Sequence, residues 1–139
     1  MNYVLSLLQL NGARLPCHRL IAIAVTSLAP LLQQYRAAAS QHGQATATGD
    51  ASAANRQYEQ LTRAYRAIQQ HGKEAVVHLL PLLNDGDWAV ATWAATHLLP
   101  SHEPAATAAL QRISQQPGIM AFGAQMVLQE WKNGRLRLE

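Results

Sequence analysis

Apolar residues recur along most of this chain at intervals of three and four, the period of helices with one buried face. Leu28, Leu31, Leu32, Tyr35, Ala38 and Ala39 make the first such stripe. Ser27 stands before it as a cap, with Pro30 in the first turn, so the pattern predicts a helix starting near Ser27. The small and polar stretch from Gln41 to Gly49 is compatible with continued helix or with fraying, and Gly49-Asp50 predicts the break. A second helix, from Asp50 or Ser52 to about His71, carries Tyr58, Leu61, Tyr65 and Ile68 as its buried stripe, and Gly72 ends it in a left-handed cap.

Four further elements follow in the same manner. Lys73 to Leu83 is mostly apolar, and Pro81 should kink or shorten it. Asn84-Asp85-Gly86-Asp87 is a turn whose last carboxylate can cap a helix from Trp88 to Leu99. On that helix Trp93 and His97 share one flank, while Trp88, Ala95 and Leu99 share the other. Ser101 is the expected cap of a fifth helix, with Glu103 and Pro104 in its first turn and Ala106, Ala109, Leu110 and Ile113 inside. Pro117-Gly118 introduces a last helix from Ile119 to Lys132, ended by Asn133-Gly134, apolar on most sides and therefore expected to be central or to touch neighbours on two sides, with Trp131 in the core.

The resulting fold class is all-α, with about six helices in stacked antiparallel hairpins, as the short later connections require. Composition agrees, because Ala and Leu are abundant while β-branched and aromatic residues are sparse. The expected organisation is an N-terminal arm or short helix over 1–25, a helical domain over 26–134 and a tail over 135–139. Residues Met1 to Val25 have only a weak likeness to a secretory signal, since the apolar run after Arg19 is short and Pro16 precedes it. No apolar run approaches the roughly 20 residues of a membrane span. The single cysteine, Cys17, excludes an internal disulfide framework and fits the reducing cytoplasm.

Charge narrows the partners. The chain of 139 residues has a net charge of +3, but Arg14, Arg19 and Arg36 all lie before the first acid, Asp50. From there on, eight basic residues face eight acidic ones, so the body lacks the clustered cations of a nucleic-acid binder. Candidate chemistry is thin as well. Cys17-His18 is a bare adjacent pair, the six histidines form no metal-ligand spacing, and Asp85-Gly86-Asp87 fits a turn with a helix cap better than a metal-binding motif. No glycine-rich phosphate loop or nucleophile elbow is present. A protein with no cofactor, no metal and no catalytic residues is expected.

The run Leu79-Leu80-Pro81-Leu82-Leu83-Asn84-Asp85-Gly86-Asp87-Trp88-Ala89-Val90, followed by Trp93-Ala94-Ala95-Thr96-His97-Leu98-Leu99, resembles a HEAT-type hairpin. Ala91 stands where that pattern carries an arginine that ties repeats together, which argues against a long array. His78-Leu79-Leu80-Pro81 also recurs nineteen residues on as His97-Leu98-Leu99-Pro100, half the ~38-residue period of HEAT and armadillo units. Trp93-Ala94-Ala95-Thr96-His97-Leu98-Leu99, together with residues 119–134 from Ile119-Met120-Ala121-Phe122 to Asn133-Gly134, resembles a bacterial family of small HEAT-like domains of unknown function. Some members are encoded beside polymorphic toxins. The resemblance spans about 28–134 and implies a cytoplasmic immunity protein that binds and neutralises a cognate toxin without chemistry of its own. A scaffolding helical-repeat subunit is the alternative, and a nucleic-acid-binding HEAT-like protein a more distant one.

For partner binding the candidates are Asp85, Asp87, Trp88 and Glu103, expected to form an acidic-aromatic patch near the hairpin tips, together with Trp93 and His97. Tryptophan anchors interfaces because it removes much area from water at little entropic cost. Trp88 is balanced between flank packing and an exposed anchor, and Trp93 with His97 could close a flank or line a groove. The partner is expected to be another protein, met by a monomer or weak homodimer, with no role for nucleic acid or membrane.

Overall fold

The computed structural model describes residues 17–138, with side chains from Leu28 onward. Every regular element among the described residues is a helix: α1 (Cys17–Thr48), α2 (Ala51–Gln70), a 3-10 helix (Lys73–Asn84), α3 (Trp88–Leu98), α4 (Glu103–Ser114) and α5 (Ile119–Lys132). The all-α expectation with six helices therefore holds. The N-terminal arm is described only from Cys17, and the Cys17-His18 side chains lie outside the described residues.

The helix expected to begin at Ser27 begins at Cys17 and runs through Pro30 to Thr48. Pro30 removes one backbone donor, but the helix is anchored before it by buried Leu28 and beyond it by buried Tyr35, Ala38 and Ala39. The polar stretch after Gln41 continues as helix up to the expected break. There Gly49 takes φ 74°, a conformation that costs glycine nothing, and the Asp50 carboxylate accepts from the Ala53 amide at 3.0 Å. The turn folds α2 back along α1. Their shared surface is built from Tyr35, Ala38 and Ala39 against Leu61, Ala64, Tyr65 and Ile68, with Tyr58 standing 39% exposed rather than buried.

Lys73–Asn84 is a 3-10 coil rather than the expected α-helix. Val76-Val77 and Pro81 all disfavour the α conformation, and Pro81 sits inside the coil without ending it. Ala75, Val76, Leu79 and Leu83 point into the core, whereas His78 is exposed. His97 is buried. The two copies of the His-Leu-Leu-Pro tetrapeptide thus occupy unlike environments in unlike helices.

The centre of the molecule is α3, which touches α1, the 3-10 helix, α4 and α5. Ala91, Ala94, Ala95 and Leu98 have no exposure at all, and burying such a leucine contributes about 2 kcal/mol. The last helix, expected to be central or to touch neighbours on two sides, is peripheral and touches α3 and α4. Only Ala121 and Ala124 of α5 are buried, Trp131 is partly buried, and Ile119, Phe122 and Met126 are 50%, 62% and 41% exposed. Its neighbour α4 is capped at His102 and not at Ser101. The Ser101 hydroxyl pairs with the His102 ring at 2.8 Å and leaves the backbone amides alone.

Candidate functional site

Three helices each present a pair of rings to one place. Tyr35 and His42 stand two turns apart on α1, Tyr58 and Tyr65 two turns apart on α2, and Trp93 and His97 one turn apart on α3. Because α1 packs against both α2 and α3, the six rings meet in one cluster. The His97 ring stacks on Tyr65 at 3.9 Å between centroids and lies nearly parallel to Trp93 at 5.8 Å. Tyr35 meets His97 edge-on, His42 meets Trp93 edge-on, and Tyr58 closes over Trp93 at 5.8 Å.

The outer side of this cluster is the floor of a cleft of about 450 Å³. Its walls are the C-terminal part of α1 (His42, Gly43, Thr46), Tyr58 and Thr62 of α2, and Ala89, Thr92, Trp93, Thr96 and His97 of α3. On the other side stand Ile119, Met120, Phe122, Gly123 and Val127 of α5, with Leu136, Arg137 and Leu138 from the tail. The size falls within the roughly 300–1,000 Å³ of small-ligand sites, and the lining is mainly apolar. Much of its polarity is turned inward. The Thr46, Thr92 and Thr96 hydroxyls donate to the carbonyls of His42, Trp88 and Thr92, so the methyl groups are what these residues add.

The two histidines are the exception. The Trp93 indole can only donate, and it donates to His42 Nδ1 at 3.3 Å, which makes that nitrogen an acceptor. Tyr35 is fully buried and its hydroxyl meets His97 Nδ1 at 2.5 Å. Burial pushes the Tyr35 phenol well above its usual range, with a smaller contribution from Tyr65. Burial likewise depresses His42, and it depresses His97 to about 3. Both imidazoles are therefore neutral near pH 7. A neutral His97 and a protonated Tyr35 are poorly matched to proton transfer at that pH, for which groups titrating near neutrality are suited.

The expected partner-binding residues divide into two sets. Trp93 and His97 come together in the cleft, where they both stack on each other and line a wall. The tip is engaged by the protein itself. Arg36 of α1 grips Asp85 with two hydrogen bonds of 2.8 and 2.9 Å, and this pairing holds the Asp85 carboxyl below the usual range. Asp85 also accepts the Asp87 amide, while Asp87 caps α3 through the Ala89 amide and accepts the Ser40 hydroxyl at 2.6 Å. Trp88 is 43% exposed beside them. Glu103 does not join the patch. It starts α4 beyond the far end of α3, whose 11 residues span about 16 Å at 1.5 Å per residue.

Tyr35, His42, Tyr58, Tyr65 and the α5 wall were not among the sequence candidates. Their signal was nevertheless present in the seven-residue spacing of the ring pairs at 35/42 and 58/65, which puts each pair on one helix face. Among the described residues no three His, Cys, Asp or Glu side chains gather as metal ligands, and no helix is long and apolar enough to cross a membrane. No protein-family model, curated protein or solved structure matches the chain.

Proposed function

We propose that this protein is a non-catalytic interaction module whose contact surface is the outer stripe of α5 and the mouth of the adjoining cleft. The observation that carries it is the exposure of Ile119, Phe122 and Met126 on a single helix face beside that mouth. They lie at i, i+3 and i+7, the spacing with which a helix offers one continuous apolar strip, and clustered large apolar residues at a surface mark association sites. The acidic tip is a weaker candidate, because both of its carboxylates are occupied within the fold.

The family resemblance of residues 93–99 and 119–134 gives the partner a setting: a toxin encoded alongside, neutralised by occlusion of its working surface. Residues 119–134 of that resemblance are the ones that carry the exposed strip. The strip also favours the alternative of a scaffolding subunit, since a second copy could cover it. Sedimentation at micromolar concentration separates the two, as self-association through α5 would yield a dimer.

Capture from extract of the native cell tests the proposal. Tagged protein is expected to retain one stoichiometric partner, and the exposed-residue variant Phe122→Ser/Met126→Ser is expected to lose at least 90% of it, since buried aromatic anchors are each worth about 2 kcal/mol or more. Trp88→Ser/Glu103→Lys at the two ends of α3 should leave capture intact. Retention by the α5 variant and loss by the other would move the interface to the tip.

A further inference from the structure

His97 carries one polar atom that the fold does not use. The residue is only 6% exposed, Nδ1 is taken by the Tyr35 hydroxyl, and Nε2 has no hydrogen-bond partner among the described residues. Among the described residues no buried side-chain nitrogen or oxygen lacks a partner, and His97 lines the cleft, which puts Nε2 at the cleft surface. Which proton it carries follows from Tyr35. That phenol is wholly buried and has His97 as its one partner among the described residues, so its O–H must donate to Nδ1 or go unmatched at a cost of about 1–3 kcal/mol. With Nδ1 accepting, the neutral imidazole bears its proton on Nε2. The Tyr65 face stacked at 3.9 Å holds the ring so that this N–H is aimed and cannot swing away.

We propose that the cleft is a receptor for a neutral, mainly apolar small molecule that presents one hydrogen-bond acceptor, a ketone or amide oxygen, to the Nε2–H of His97. A donor fixed on the floor of an apolar cleft selects for an acceptor, because a ligand without one leaves the N–H dehydrated and unpaired. Trp93 and Tyr58 supply ring faces for a flat apolar body, and the threonine methyls shape the sides without adding competing donors. Ile119 and Phe122 belong both to the α5 strip and to the cleft wall, but the His97 donor stands on the floor, so the small molecule is held without a protein partner.

The test uses the full chain with two fluorescent probes: prodan, a neutral naphthalene bearing a ketone, and its analogue in which a methylene replaces the carbonyl. Prodan is expected to bind the wild type. Relative to the methylene analogue, its affinity should fall about tenfold on His97→Phe, the loss of one buried hydrogen bond. Comparing the ratio of the two probes cancels their different transfer from water. Nitrogen-15 NMR of the wild type gives a readout that needs no variant. His97 should show the Nε2–H tautomer at pH 7, and its Nε2–H proton should move downfield with prodan and stay in place with the analogue. Failure of prodan to bind, an Nδ1–H tautomer, or an Nε2–H resonance unmoved by bound prodan would each overturn the proposal.

Discussion

Gly43→Ala is expected to lower the free energy of unfolding by about 2 kcal/mol, although alanine is the better helix former by roughly 1 kcal/mol. A Cβ at position 43 would lie 2.3 Å from the Cβ of Ala89 and 3.8 Å from its Cα. Neither atom belongs to a flexible side chain. Relief comes only from moving α1 away from α3, at the place where both helices line the cleft. The double substitution Gly43→Ala/Ala89→Gly removes the colliding methyl and keeps the ordinary contact to Cα, so it should return to within about 1 kcal/mol of the wild type. Urea unfolding measures all three proteins. A single variant as stable as the wild type would mean that α1 and α3 are not this close.

Acidification gives the second large effect. His97 titrates at about 3 in the folded protein and near the ordinary 6.5 when unfolded. Between those values the unfolded chain binds a proton that the folded one excludes, so stability falls as pH drops below 6.5 and levels off near 3. The expected loss from pH 8 to pH 5 is roughly 2 kcal/mol. His42 is depressed by its own burial and acts in the same direction. Asp85 has the opposite chemistry, as a carboxyl lowered by Arg36 stabilises the fold above its unfolded pKa and loses that contribution only at still lower pH. Denaturant titrations at pH 8, 7, 6 and 5 should slope accordingly, and His97→Phe should flatten most of the slope. A wild type equally stable across that range would mean that His97 is hydrated.

Local chemistry made much of the fold legible in advance. Asp87 caps its helix where the sequence placed the cap, Asp50 caps α2 at one of the two starts the sequence left open, and Pro117-Gly118 and Asn133-Gly134 bound α5 at Ile119 and Lys132 as expected. These features depend on a few neighbouring residues. What failed depended on distant ones. The low polarity of α5 suggested a helix at the centre or between two neighbours, but an apolar face is equally what a docking strip requires, and only packing tells them apart. The small residues of α3, which let four elements approach it, were the better sign of the centre. The acidic tip seemed free because its partner, Arg36, lies 49 residues earlier in the chain. Half of the site was visible in Trp93 and His97. The other half needed the ring pairs of α1 and α2 to be projected onto the same point, which periodicity suggests and only the helix packing establishes.

The most direct measurement is amide hydrogen exchange on the protein alone and in complex with its captured partner. Binding through α5 and the cleft mouth predicts slowed exchange across residues 119–132 and the cleft side of 89–97, with the tip at 84–88 and the start of α4 at 103–106 unchanged. Protection confined to the tip and the start of α4, with α5 exchanging as in the free protein, would contradict it.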